Sequence, residues 1–168
     1  ISDYGGDEIE GDQMFEIQTI DTLPSSEAHQ LLIDRAAIID VTNRYCWALD
    51  TKDWAVLDSV FTEDANGDLL EDVVGRVAIK KRVETALSRM DETQHLISNH
   101  QINVQGDTAT CRCYLQAQHV RKAAHGGPNF IIAGRYEDQL TRTSEGWRIS
   151  FRRLVVMWTD GNPAVSRG

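Results

Sequence analysis

Along this chain the apolar positions change period near Met90. Before it they recur every three or four residues, and after it they alternate. In the first half, Pro24, Ser25 and Ser26 mark a helix start, with one of the serines as N-cap and Glu27 in the first turn. Ile38, Val41, Tyr45 and Ala48/Leu49 form one stripe, which Leu32, Ala36 and Ile39 widen, so a first helix is predicted to run to about Leu49. "TKD" breaks the pattern. "WAVLDSVF" predicts a short second helix, with Asp53 as cap and Trp54, Leu57, Val60 and Phe61 inward. "TEDANGD" reads as a turn, with a short strand near Leu69 and Leu70. "GRVAIKKRVETALSRM" predicts a third helix, with Val77, Ile79, Val83 and Leu87 inward and Lys80, Lys81, Arg82 and Arg89 on a solvated face.

Four alternating segments follow: "TQHLISNHQINVQ", "TATCRCYLQAQHVRK", "NFIIAGRYEDQLTRT" and "GWRISFRRLVVMWT". "QGD" and "SEG" are hairpin turns between them, and "AAHGGPN" is a longer loop. Helices first and a meander afterwards predict an α+β domain, its helices packed against one sheet face. Residues 1–24 read as an acidic arm, 25–162 as the domain and 163–168 as a tail. Alternation along the first long strand puts His95, Ile97 and Asn99 on one face and Leu96, Ser98, His100 and Ile102 on the other.

Composition narrows the partners. The net charge of −9 disfavours nucleic acid and anionic membrane surfaces. The first 21 residues hold seven acids and no Lys or Arg, so the excess is partly local to the arm. No apolar run approaches the roughly 20 residues that span a bilayer, and no leader pattern opens the chain. Three cysteines, Cys46, Cys111 and Cys113, have no disulfide-framework spacing and predict reduced core thiols in a cytoplasmic protein. "FIIAG" and "RLVVMW" leave more apolar sheet surface than three helices cover, so a homodimer or homotrimer is expected.

The chemistry-bearing stretch is "YCWALDTKDW", where the apolar stripe of the first helix meets Asp50. An inward Asp50 would be placed to orient a histidine, and His95 opens the first long strand. "AAIIDVTNRYCWALDTKDWAVLDSVFTEDA", "TQHLISNHQI" and "GRYEDQLTRTSEGWRISFRRLVVMW" together resemble the SnoaL-like branch of the nuclear-transport-factor-2-like superfamily, over residues 27 to 160. That branch includes scytalone and bile-acid dehydratases, polyketide cyclases and hexachlorocyclohexane dehydrochlorinase. The resemblance implies a cone-like fold of three N-terminal helices on a curved mixed or antiparallel sheet enclosing a pocket.

It also implies roles. Asp50 matches the aspartate that holds a histidine from the first long strand, here His95. Tyr45 matches a tyrosine that polarises a substrate oxygen. Arg152, with Arg153 as its neighbour, matches a pocket arginine in the last strand. Ala117 stands where the bile-acid dehydratase has an acid, which is a departure from that mechanism. Asn99 and His119 are further polar pocket candidates, and Trp47, Trp54, Phe61 and Trp158 are candidates for its apolar wall.

The implied activity is a lyase or isomerase acting on a small hydrophobic cyclic molecule. His95 would be the general base, Asp50 would fix its tautomer, and Tyr45 or Arg152 would stabilise the developing oxyanion. This chemistry needs neither metal nor organic cofactor, and the chain has no Gly-rich phosphate loop, HExxH or CxxC pair. The fold also serves non-catalytic small-molecule binders and the scaffold β subunit of ring-hydroxylating dioxygenases, which stand as alternatives.

Overall fold

The first helix, α1 (Ser25–Thr51), lies against a sheet whose long strands all come from the alternating half of the chain. The computed structural model describes residues 18–167. After α1 come a 3-10 turn (Trp54–Ser59), β1 (Phe61–Asp68), β2 (Asp72–Val74) and α2 (Arg76–Leu87). The long strands are β3 (Glu92–Gln105), β4 (Thr108–Val120), β5 (Asn129–Thr143) and β6 (Gly146–Gly161), and a 3-10 turn, Pro163–Val165, follows them. The strand order is β2-β1-β6-β5-β4-β3. β1 runs parallel to β6 and the other neighbours are antiparallel, so the α+β sheet is mixed. It is open, with β2 and β3 at its edges, and the expected cone does not close. No described helix is long and apolar enough to cross a membrane.

Several expected elements differ. Helix α1 begins at Ser25 itself. Pro24 occupies the N-cap position without a side-chain cap bond, and its carbonyl accepts the N–H of Ala28 at 2.9 Å. At the other end Lys52 turns left-handed (φ 56°), and Asp53 N–H donates to Ala48 O at 3.0 Å. The helix therefore runs past Leu49, and Asp50 belongs to its last turn. The stripe Ile38, Val41, Tyr45, Ala48 and Leu49 is buried. Leu32 and Ala36 are exposed, and the inward line continues through Leu31 and Asp34 instead.

The second helix is only a 3-10 turn, and "TEDANGD" is not a turn. It forms most of β1, held in the sheet by parallel pairing to β6. Parallel pairing between distant segments leaves no local signature, which is why turn-forming residues misled the reading. In α2, Ile79, Val83 and Leu87 are buried as expected, but Val77 is exposed.

In β3, Ser98 pairs with Tyr114 and Gln101 with Arg112, so Asn99 and His100 together face one residue of β4. Asn99 takes the left-handed conformation of this bulge (φ 56°), which asparagine tolerates better than most residues. The extra residue reverses the alternation. His95 and Ile97 face inward before it, and His100 and Ile102 after it. The two histidines thus share a face, contrary to the strict alternation.

A second bulge, between β5 and β6, places Trp158 opposite Ala133 on the outer face. Gly134 permits it, since a Cβ there would lie 2.0 Å from the carbonyl oxygen of Val155. The expected C-terminal tail folds back, and Val165 is fully buried. Most of the expected acidic arm lies outside the described residues. Its Gln18 accepts hydrogen bonds from the Arg35 side chain and from the N–H of Val104.

Candidate active site

Asp50, in the last turn of α1, reaches across to the start of edge strand β3. Its Oδ1 lies 2.6 Å from His95 Nδ1, and its Oδ2 accepts the backbone N–H of His95 at 2.9 Å. Thr93 Oγ1 donates to Oδ1 at 2.9 Å. One carboxylate thus grips the backbone and the ring of the same residue. Burial pushes the Asp50 carboxyl up, but the hydrogen bonds from the His95 ring, the His95 backbone and Thr93 outweigh it and leave the pKa below its ordinary value. A charged carboxylate only accepts, so Nδ1 carries the shared proton and Nε2 is the basic nitrogen of the neutral ring.

The His95 side chain is 5% exposed and borders a cavity of about 480 Å³ between α1, α2 and the sheet. Its depth is apolar, with Leu49, Leu115, Ala117, Ile132 and Leu154 among the lining residues. Tyr45 and Tyr136 line it as well, their rings 5.7 Å apart and edge to face. Burial raises both phenols above their ordinary pKa, so they are proton donors at neutral pH. His119 lies on the same wall, its ring edge-on to that of His95 at 5.8 Å. Its Nδ1 is buried without a hydrogen-bond partner among the described residues. Burial, aided by the neighbouring His95, lowers its pKa to about 4, so it is neutral at physiological pH.

The structure brings Asp50, His95, Tyr45 and His119 together and separates the other candidates from them. Arg152 is fully buried but does not border the cavity. Its Nε and Nη2 donate to the two Asp138 oxygens at 2.7 Å each, and its guanidinium stacks on Tyr45 at 4.1 Å and Tyr136 at 4.2 Å. It backs the tyrosines from behind. Burial opposes its charge, but Asp138 outweighs that and raises its pKa well above the usual value. Arg153 points away, toward Asp68 at 3.1 Å.

Asn99 is exposed because the bulge turns it out. Trp47 is 70% exposed on the outer side of α1, and Trp158 is 51% exposed beyond the second bulge. Phe61 is buried edge-on to Tyr45 at 5.8 Å, and Trp54 packs against the core, but neither lines the cavity. The sequence reading missed Tyr136, Thr93 and Asp138. Alternation placed Tyr136 and Asp138 on one face of β5, and Thr93 sits two residues before His95, so each had a signal.

Cys46, Cys111 and Cys113 are free and buried. Burial pushes the thiols of Cys46 and Cys113 up to about 12, which leaves them unreactive. Among the described residues no three His, Cys, Asp or Glu side chains converge as a metal-ligating group.

The model of the SnoaL-like domain matches residues 30–153. The chain belongs to the SnoaL-like family. Among relatives of this SnoaL-like protein, terrestric acid biosynthesis cluster protein E of Penicillium crustosum is 33% identical over 144 residues, covering 80% of this chain and 90% of that one. Two solved structures from Novosphingobium aromaticivorans share the fold. One, provisionally named an aromatic ring hydroxylase, is 29% identical with a TM-score of 0.73, covering 81% of this chain and 98% of that one. The other, provisionally named a scytalone dehydratase, is 27% identical with a TM-score of 0.72, covering 79% and 89%.

Proposed function

We propose that this SnoaL-like protein is a cofactor-independent lyase or isomerase, in which His95 removes a proton from a small hydrophobic cyclic molecule held in the cavity. The observation that carries this reading is the 2.6 Å contact between Asp50 and His95 Nδ1, with the same ring bordering the cavity. Asp50 fixes the tautomer and stabilises the imidazolium formed when Nε2 takes the proton. Tyr45 donates to the oxyanion or departing oxygen that develops. Neutral His119 offers a second hydrogen-bonding partner from the same wall. Arg152 acts indirectly, by holding Tyr45.

The relative named for a terrestric acid cluster and the structure provisionally named a scytalone dehydratase support small-molecule chemistry of this kind. The test is proton exchange. Cyclic ketones and β-hydroxy ketones are incubated in D₂O and followed by NMR, with wild type and His95→Ala side by side. Exchange or elimination by wild type, lost in His95→Ala, is the expected outcome. No reaction above buffer across the panel, or equal rates in both proteins, would overturn the reading.

A further inference from the structure

At the cavity mouth the charge is opposite to that of the protein as a whole. Arg89 borders the cavity, and its Nη2 donates to the backbone carbonyl of Ser166, which also lines it. Arg121 follows the end of β4, two residues beyond His119, and donates to the carbonyl of Arg167 at 2.9 Å, next to the lining residue Ser166. Lys52 Nζ donates to the carbonyl of Met90, a lining residue, at 2.6 Å. All three acceptors are neutral. None of these cations has a carboxylate within ion-pair distance among the described residues. Arg82, by contrast, also lines the mouth but is paired with Glu71. The basic residues of α2 and of the turn after it are therefore not simply a solvated face, because Arg82 and Arg89 both line the cavity.

We propose that the molecule bound in this cavity carries an anionic group, of the carboxylate class, which seats at the mouth against Arg89, with Arg121 and Lys52 adding to the local field, while its ring lies in the apolar depth beside His95. The proposal rests on the reading of the cavity as the substrate site and adds the charge of the substrate to it. The Ser166 tether holds the Arg89 guanidinium at the rim before any ligand arrives, which lowers the ordering cost of binding. The rim also gives an acidic protein a way to attract an anion that its overall charge would repel.

The experiment compares 2-naphthoate with 2-naphthamide, which match in ring and differ in charge, by calorimetric titration at low and at moderate salt. Wild type, Arg89→Gln, Arg89→Lys, Arg89→Gln/Arg121→Gln and His95→Gln are titrated, each with a thermal melt. The expected result is that naphthoate binds about tenfold more tightly than the amide at low ionic strength. The preference shrinks with salt, is lost in Arg89→Gln, returns in part in Arg89→Lys and survives in His95→Gln. Equal affinity of the two probes in wild type overturns the anionic seat while leaving proton abstraction by His95 standing. A preference that survives the double arginine variant but disappears in His95→Gln overturns the rim as its source. Failure of both probes to bind overturns this proposal together with the binding role of the cavity.

Discussion

Asp50 holds His95 twice, by its ring nitrogen at 2.6 Å and by its backbone N–H at 2.9 Å. A carboxylate from the end of a helix thereby locks both the position of a strand residue and the tautomer of its imidazole. Removing either partner is expected to lower turnover by about 10² to 10⁴-fold, the usual span of general-base catalysis. Because the two act as a unit, Asp50→Asn/His95→Ala should be scarcely slower than His95→Ala alone. Steady-state rates with thermal melts for each variant check this, and full activity in folded His95→Ala would remove His95 as the base.

Thr93 is a positioning residue in the same constellation, since its hydroxyl donates to Asp50 Oδ1. Thr93→Val removes one bond to a charged group and should lower kcat by about tenfold with KM nearly unchanged. Thr93→Ser should restore most of the rate. A purely structural role would instead shift the melt and leave kcat intact.

His119 makes stability depend on pH. In the folded protein its pKa is lowered to about 4, whereas an unfolded chain titrates near 6.5. Between these values the unfolded state binds the extra proton, so stability is fully present above about pH 6.5 and falls as the pH drops toward 4. At about 1.4 kcal/mol per unit the loss is at most ~3 kcal/mol. His100, also lowered by burial, acts in the same direction, and Asp50 adds its share below the ordinary carboxylate range. Urea titrations from pH 7.5 to 4 should show a slope that is flatter in His119→Gln, and an identical slope in that variant would assign the dependence elsewhere.

The Arg152–Asp138 pair has no exposed side-chain surface. Arg152→Met strands a buried carboxylate and should cost about 3–5 kcal/mol, whereas Arg152→Met/Asp138→Leu should regain most of it, because the second change removes the unpaired charge. Equilibrium unfolding of the single and double variants measures this, and a wild-type midpoint in Arg152→Met would contradict it.

The outer face of the sheet exposes the apolar side chains of Leu96, Tyr114 and Trp158, with Gln116 and the buried Ala133 on the line of paired residues between Leu96 and Trp158. Such a patch on a chain of this size favours association with a second or third copy. Sedimentation at micromolar concentration should give a dimer or trimer that Leu96→Glu/Trp158→Glu dissociates, and a wild-type monomer of 18.9 kDa would contradict it.

The sequence alone determined whatever depends on local period. The stripe of α1, the buried line of α2 and the four alternating strands recur at spacings that only one secondary structure satisfies, and they place Asp50 at the end of a helix and His95 near the start of a strand. Asp34 went unread, although it lies four residues before Ile38. It falls on the inward line of α1, and an acid there needs a partner, which the fold supplies as Arg142 at 2.7 Å and Trp147 at 3.1 Å. What only the tertiary structure decided depends on pairing between distant segments. β1 exists because β6 supplies a parallel neighbour, and the bulges at Asn99 and Met157 each add one residue whose effect on side-chain direction appears only against the partner strand. A single inserted residue reverses every side chain beyond it. That is why His100 turned in and Trp158 turned out. A further shift, between Ile149 and Phe151, sets Arg152 and not Arg153 on the inner face, where Asp138 holds it behind the tyrosines and away from the cavity.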